Sequence, residues 1–136
     1  MSYIDNFRSQ SIMRWTYLNE QCNAKKANQF YKKNIRLIKN MLSDQVDLKQ
    51  LEPLLADEND YARLDAACVL LFVCPEKSEK VLKEISQYVG IKKGMLAITA
   101  ENMLIEWYKG NVTLESVILQ AKCKKAVIGG IRVKNA

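Results

Sequence analysis

The sequence contains no histidine, which removes serine–histidine and cysteine–histidine nucleophilic chemistry and imidazole metal sites together. Proline and glycine are scarce, at 2 and 5 residues in 136. Many-turned β architectures need frequent punctuation of that kind, so long helical segments are expected instead. The four cysteines, Cys22, Cys68, Cys74 and Cys123, have no paired spacing and no Cys-x-x-Cys, as free thiols in a reducing compartment would. Met1-Ser-Tyr-Ile-Asp5 lacks the basic-then-apolar start of a secretory signal. The longest apolar run, Ala66 to Cys74, covers less than half of the ~20 residues a membrane-crossing helix needs. These absences lead to the expectation of a cytoplasmic protein with no membrane association, no metal and no cofactor.

What is present is ordinary globular material: 49% hydrophobic and 26% charged residues, enough for one domain with its own core. The formal charge of +6 is unevenly placed. Residues 1–43 hold eight Lys or Arg against Asp5 and Glu20, residues 44–60 hold six acids against Lys49, and residues 122–136 hold five basic residues and no acid. Such polarity bears on partners rather than on fold.

Helical spacing runs through most of the chain. Ile4, Phe7, Ser11, Trp15, Leu18 and Cys22 predict a first helix from Ser2 to about Gln21. Asn23 caps a second, Ala24 to about Leu42, whose inner face is Ala27, Phe30, Tyr31, Asn34, Leu37, Ile38, Met41 and Leu42. Asp47 caps a third, Leu48 to Ala56, which Pro53 should bend or shorten. The turn Asp57-Glu58-Asn59-Asp60 leads into a fourth, Tyr61 to Val73, apolar nearly all round and expected to lie between neighbours. Pro75 opens a fifth with Val81, Leu82, Ile85, Tyr88 and Val89 inward. A sixth uses Met95, Leu96, Ile98, Thr99, Met103, Leu104, Trp107 and Tyr108 and ends at Gly110. Thr113 caps a seventh, Leu114 to about Lys125, and the remainder has no helical period.

Displacing the sequence by 30 residues lays Leu51 on Val81, Leu55 on Ile85 and Ala67 on Ala97, a weak internal repeat. The run Leu51 to Leu70, with paired leucines, Asp57 in the turn, and Arg63 shortly before Ala66 and Ala67, resembles a HEAT repeat. From about Ile4 to Gly110 the chain resembles a bacterial family of small HEAT-like proteins, domain of unknown function 2019, in the Ala27-Asn28-Gln29-Phe30-Tyr31 stretch, in Pro75 and in Trp107 to Gly110. The resemblance implies an all-α fold, a HEAT-like α–α superhelix of about six to seven helices, and brings no activity with it. It leads to one helical domain over residues 1–126 and a flexible basic tail over 127–136.

No catalytic constellation is legible. Asp57, Glu58 and Asp60 lack the order of a calcium loop and suit a capped turn. Cys74 precedes a helix, where a thiol can be activated, although packing alone explains it. Asp65 with Trp107 is too little for a helical-repeat glycosylase acting on DNA. The strongest candidate is the basic stripe of the second helix, Lys25, Lys32, Arg36 and Lys39, widened by Lys26 and Lys33. It is either a contact face or a solvated outer surface. Two functions follow: a non-catalytic protein-interaction module, such as an adaptor or an antidote masking a toxin, or a nucleic-acid-binding domain using the same stripe.

Overall fold

The computed structural model describes residues 2–113 together with 127–128 and 131–132. Among these the architecture is six helical segments and one minimal strand pairing. Helix α1 (Tyr3–Trp15) begins where Ser2 accepts from the Asp5 N–H and donates back to its carboxylate. This reciprocal cap satisfies an orphan donor of the first turn. After Trp15 the chain continues as a π-helical turn, Thr16–Glu20, so the first α-helix is shorter than its periodicity suggests. Cys22, expected inward, is exposed at a left-handed φ of 50°.

Asn23 caps α2 (Ala24–Ser43) by accepting from the Lys26 N–H. Its buried face is Ala27, Asn34, Leu37, Ile38 and Met41, and Phe30, Tyr31 and Leu42, expected on that face, are half-buried. Residues Leu48–Ala56 form a 3-10 helix throughout. Pro53 has no N–H and its ring meets the preceding turn, so the tighter coil replaces an α-helix there. Leu48, Leu51, Leu54 and Leu55 still reach the core.

Helix α3 (Asp60–Val69) starts at Asn59, whose side chain accepts from the Tyr61 and Ala62 N–H groups. It ends in a 3-10 turn, Leu70–Phe72. Ala62, Leu64, Ala66, Ala67, Leu70 and Leu71 are completely buried, because the 3-10 helix, α1, α4 and α5 all pack on α3. The alanines matter here: without bulk at those positions, neighbouring backbones come close on several sides. Each fully buried leucine contributes about 1.5–3 kcal/mol relative to exposure.

Pro75 opens α4 (Pro75–Ser86) as the first helical residue, where its missing N–H costs nothing. Val81, Leu82 and Ile85 are buried, but Val89, expected beside them, lies beyond the helix and is 86% exposed. Helix α5 (Ile91–Tyr108) packs on α4, and its buried residues are Leu96, Ala100 and Leu104. Met95, Ile98 and Tyr108, expected inward, are exposed. Gly110, at φ 76°, closes α5 with Asn111 N–H bonded to Glu106 and Gly110 N–H to Trp107, the paired bonds of a glycine-terminated helix.

The expected seventh helix over 114–125 lies outside the described residues. Of the expected tail, β1 (Val127–Ile128) pairs antiparallel with β2 (Ile131–Arg132), and the rest also lies outside. Among the described residues no helix is long and apolar enough to cross a membrane.

Two ion pairs tie α1 to segments 49 and 51 residues away. Arg14 Nη1 and Trp15 Nε1 both donate to Asp65 Oδ1 at 2.9 Å. Arg8 Nε donates to Asp57 Oδ1 at 2.9 Å. Burial pushes the Asp57 carboxyl up, but Arg8 and the Asn59 N–H outweigh it and leave the group below its usual value. Stability from a lowered carboxyl is present above its unfolded value and lost as pH falls through the folded one. Replacing Arg8 by Ala should therefore flatten the acid limb of the stability curve below about pH 4. Asp65→Ala should cost about 3 kcal/mol by stranding Arg14 and the Trp15 N–H, read as a lower urea midpoint with unchanged slope.

Candidate interaction face

Lys25, Lys32, Arg36 and Lys39 share one narrow arc of α2, opposite Leu37, Ile38 and Met41, and the stripe is solvent-facing along its length. At 1.5 Å per residue the stripe is about 21 Å long. Lys26 and Lys33 widen it on one side. Among the described residues none of the six takes part in a salt bridge; the bridges present involve Arg8, Arg14, Arg63, Lys77, Lys93 and Lys109.

Most of the acidic stretch that could have neutralised the stripe is engaged elsewhere. Asp44 accepts from the Tyr3 hydroxyl and Asp47 from the Lys49 N–H. Glu52 is bound to Lys77, Asp57 to Arg8, and Asp60 to Arg63, Lys93 and the Tyr88 hydroxyl. Glu20 accepts from the Tyr61 hydroxyl at 2.8 Å. Like charges four residues apart on a helix cost roughly 0.2–0.5 kcal/mol. Lys32 and Arg36 stand at that spacing on α2.

Aromatic rings border the stripe, though not as open platforms. Tyr17 and Phe30 stack with centroids 5.8 Å apart and planes 11° from parallel. Lys26 Nζ lies 5.4 Å from the Tyr17 centroid and Lys33 Nζ 4.8 Å from that of Phe30. The rings thus bind each other and hold two ammonium groups in place, adding fixed positive charge to the edge.

The remaining sequence candidates separate. Asp57 and Asp60 are consumed by ion pairs, and among the described residues no three of His, Cys, Asp or Glu stand together to hold a metal. Asp65 is tied to Arg14 and Trp15, whereas Trp107 packs edge-on against Phe72 at 5.7 Å. Burial raises the Cys74 thiol, with Glu52 adding to it, so its place before α4 does not activate it. Burial pushes Cys68 up to about 12.

One cluster is not legible from the sequence. The Arg14 guanidinium lies between Trp15 and Tyr31, 4.8 and 4.4 Å from their centroids, while bonded to Asp65. Burial is the main cause raising the Tyr31 hydroxyl above its ordinary value. The only hint in the sequence is an arginine adjacent to a core tryptophan, which does not reveal a partner 51 residues away. Compared with protein-family models, with curated proteins and with solved structures, the chain matches none.

Thiol chemistry gives a direct check of these surroundings. Near pH 8 an aromatic disulfide reagent should modify Cys22 promptly and leave Cys68 untouched until the protein unfolds, as mapped by peptide mass spectrometry.

Proposed function

We propose that the chain is a non-catalytic protein-interaction module whose α2 face, Lys25, Lys32, Lys33, Arg36 and Lys39 with Lys26, receives an acidic surface of another protein. The observation that carries this reading is the mismatch of pairing. Asp44, Asp47, Glu52, Asp57 and Asp60 are each bonded to a cation or donor away from the stripe, whereas the stripe's own cations form no salt bridge among the described residues. A rigid helix holding cations in one line presents its charge at no further ordering cost to the backbone. The adaptor or antidote role belongs to this reading.

The scaffold is proposed to be HEAT-like, akin to the small bacterial family resembled in the sequence. Its support is the succession of pairs: α1 with α2, the 3-10 helix with α3, and α4 with α5, with α3 touching the pairs on both sides. Nucleic acid is the weaker reading. Stacking on bases needs accessible ring faces, and Tyr17 and Phe30 already engage each other and two lysines.

A glutamate-rich helical peptide and a DNA oligonucleotide of equal charge, each titrated at low ionic strength, separate these readings. The peptide should bind the full chain more tightly, and Lys32→Glu with Arg36→Glu should weaken it on the order of tenfold or more, as loss of 1.4 kcal/mol would. If only the DNA binds, with affinity falling steeply in salt, the nucleic-acid reading replaces this one. Binding of neither ligand leaves the stripe a solvated surface and rejects both.

A further inference from the structure

Helix α5 carries an apolar stripe that nothing among the described residues covers. Ile91 is 99% exposed, Ile98 60%, Met95 42% and Ile105 42%. Their spacing of four, three and seven residues puts them in one row on the side away from Leu96, Ala100 and Leu104. Single exposed apolar residues are ordinary, but a row of four along one helix marks a contact surface.

Two further features accompany that row. Gly94 lies inside the helix, where glycine is less favourable than alanine, and a Cβ built on it would meet nothing within 4 Å. No described neighbour within the chain requires the glycine. The N-terminus of α5 also lacks a side-chain cap: Gly90 supplies none, and the Gly94 N–H bonds back to the Gly90 carbonyl. The N–H groups of the first turn therefore keep the positive end of the helix dipole open. Farther along the same helix, Asn102 and Glu106 are exposed, and Glu106 makes an exposed pair with Lys109 at 3.7 Å and accepts from Asn111 Nδ2 at 3.4 Å, contacts weak enough to yield to a stronger partner.

We infer that a second copy of this chain docks on α5, the two helices running antiparallel about a two-fold axis near Ile98. In that register Ile98 meets Ile98 of the partner subunit, and Ile91 meets Ile105 of the partner subunit. Asn102 falls over Gly94 of the partner subunit, where the missing side chain leaves room for the amide and lets the helices approach. Glu106 reaches the uncapped N-terminus of the facing helix, bringing a negative charge to the open end of its dipole. Apolar row, close-approach glycine and acid-to-dipole complementarity are then explained by one operation, as an isologous interface requires. An 18-residue helix is about 27 Å long, so the shared area is at the small end for specific interfaces and the dimer is weak and concentration-dependent.

Sedimentation equilibrium of the full chain over the micromolar range tests this. A reversible monomer–dimer equilibrium is expected, and Ile98→Lys, at an exposed position, should weaken it by a factor of about ten or more, as loss of one anchor does. Gly94→Leu separates the interface from folding: it should raise the melting temperature of the monomer yet weaken the dimer. Glu106→Lys should weaken the dimer as well. A chain monomeric at every concentration overturns the inference and leaves the stripe to another occupant, including residues 114–126 of the same chain. A dimer indifferent to both Ile98→Lys and Gly94→Leu overturns it equally.

Discussion

Burial of α3 on all sides is the constraint on which the other contacts depend, and it rests on small side chains plus one satisfied charge. Ala62, Ala66 and Ala67 have no exposed surface, so the 3-10 helix, α1, α4 and α5 can each reach the α3 backbone. That crowding also buries Asp65, at 6% exposure. A buried carboxylate is tolerated only when paired, and Arg14 and the Trp15 indole do the pairing. Because these donors come from the end of α1, the carboxylate fixes the rotation and height of α1 against α3. The stacked Trp15–Tyr61 rings, 6.1 Å apart, reinforce the same junction. Helix α2 takes its position from α1, so the placement of the basic face descends from a single residue on α3.

The same logic accounts for the charge segregation. Arg63, only partly exposed, joins Asp60, Glu84 and the Tyr88 hydroxyl and so ties α3 to α4. Arg8 holds Asp57 at the end of the 3-10 helix and Lys77 holds Glu52 within it. Acids at these junctions are occupied in closing the fold. The α2 cations face away from every such junction, and their lack of acid partners among the described residues is a by-product of where the acids are needed. Exposed pairs contribute little individually; the segregation they leave on the surface is the larger consequence.

Amphipathic segments are readable in the sequence wherever one face is polar. In α2 the lysines mark the outside so clearly that most positions buried against α1, including Asn34 with its bond to Ser11 at 2.9 Å, follow from periodicity alone. Caps at Asn23 and Asp47 and the proline start at Pro75 are equally legible, because capping is local chemistry. Helix α5 is not. Apolar residues occur round much of its circumference, so a 3.6-residue period cannot choose which side meets α4, and an inward placement of Met95 and Ile98 picks the wrong one. The Arg14–Asp65 pair is hidden for a different reason: it depends on tertiary proximity across 51 residues of chain. The 3-10 coil of Leu48–Ala56 falls between these cases, since Pro53 signals a disturbance without saying which coil replaces the α-helix.

Two faces lie open among the described residues, and they differ in what they can do. The α2 face is charged and, among the described residues, unobstructed, so its attraction extends about a Debye length, ~8 Å at physiological salt, and acts on the rate and orientation of encounter. The α5 row is apolar and short-ranged, rewarding only a surface that fits it closely. Helix α2 packs on α1 and α5 on α4, with α3 between the two pairs. Occupying one face therefore does not require displacing the other. If two copies join through α5, each retains its own basic stripe, and the assembly offers two cationic faces to one partner. Linked sites of that kind gain apparent affinity without any new contact, provided the partner spans both. A weak pairing through α5 would then be strengthened by the ligand held on α2, because whatever binds two stripes at once favours the paired state by the same factor.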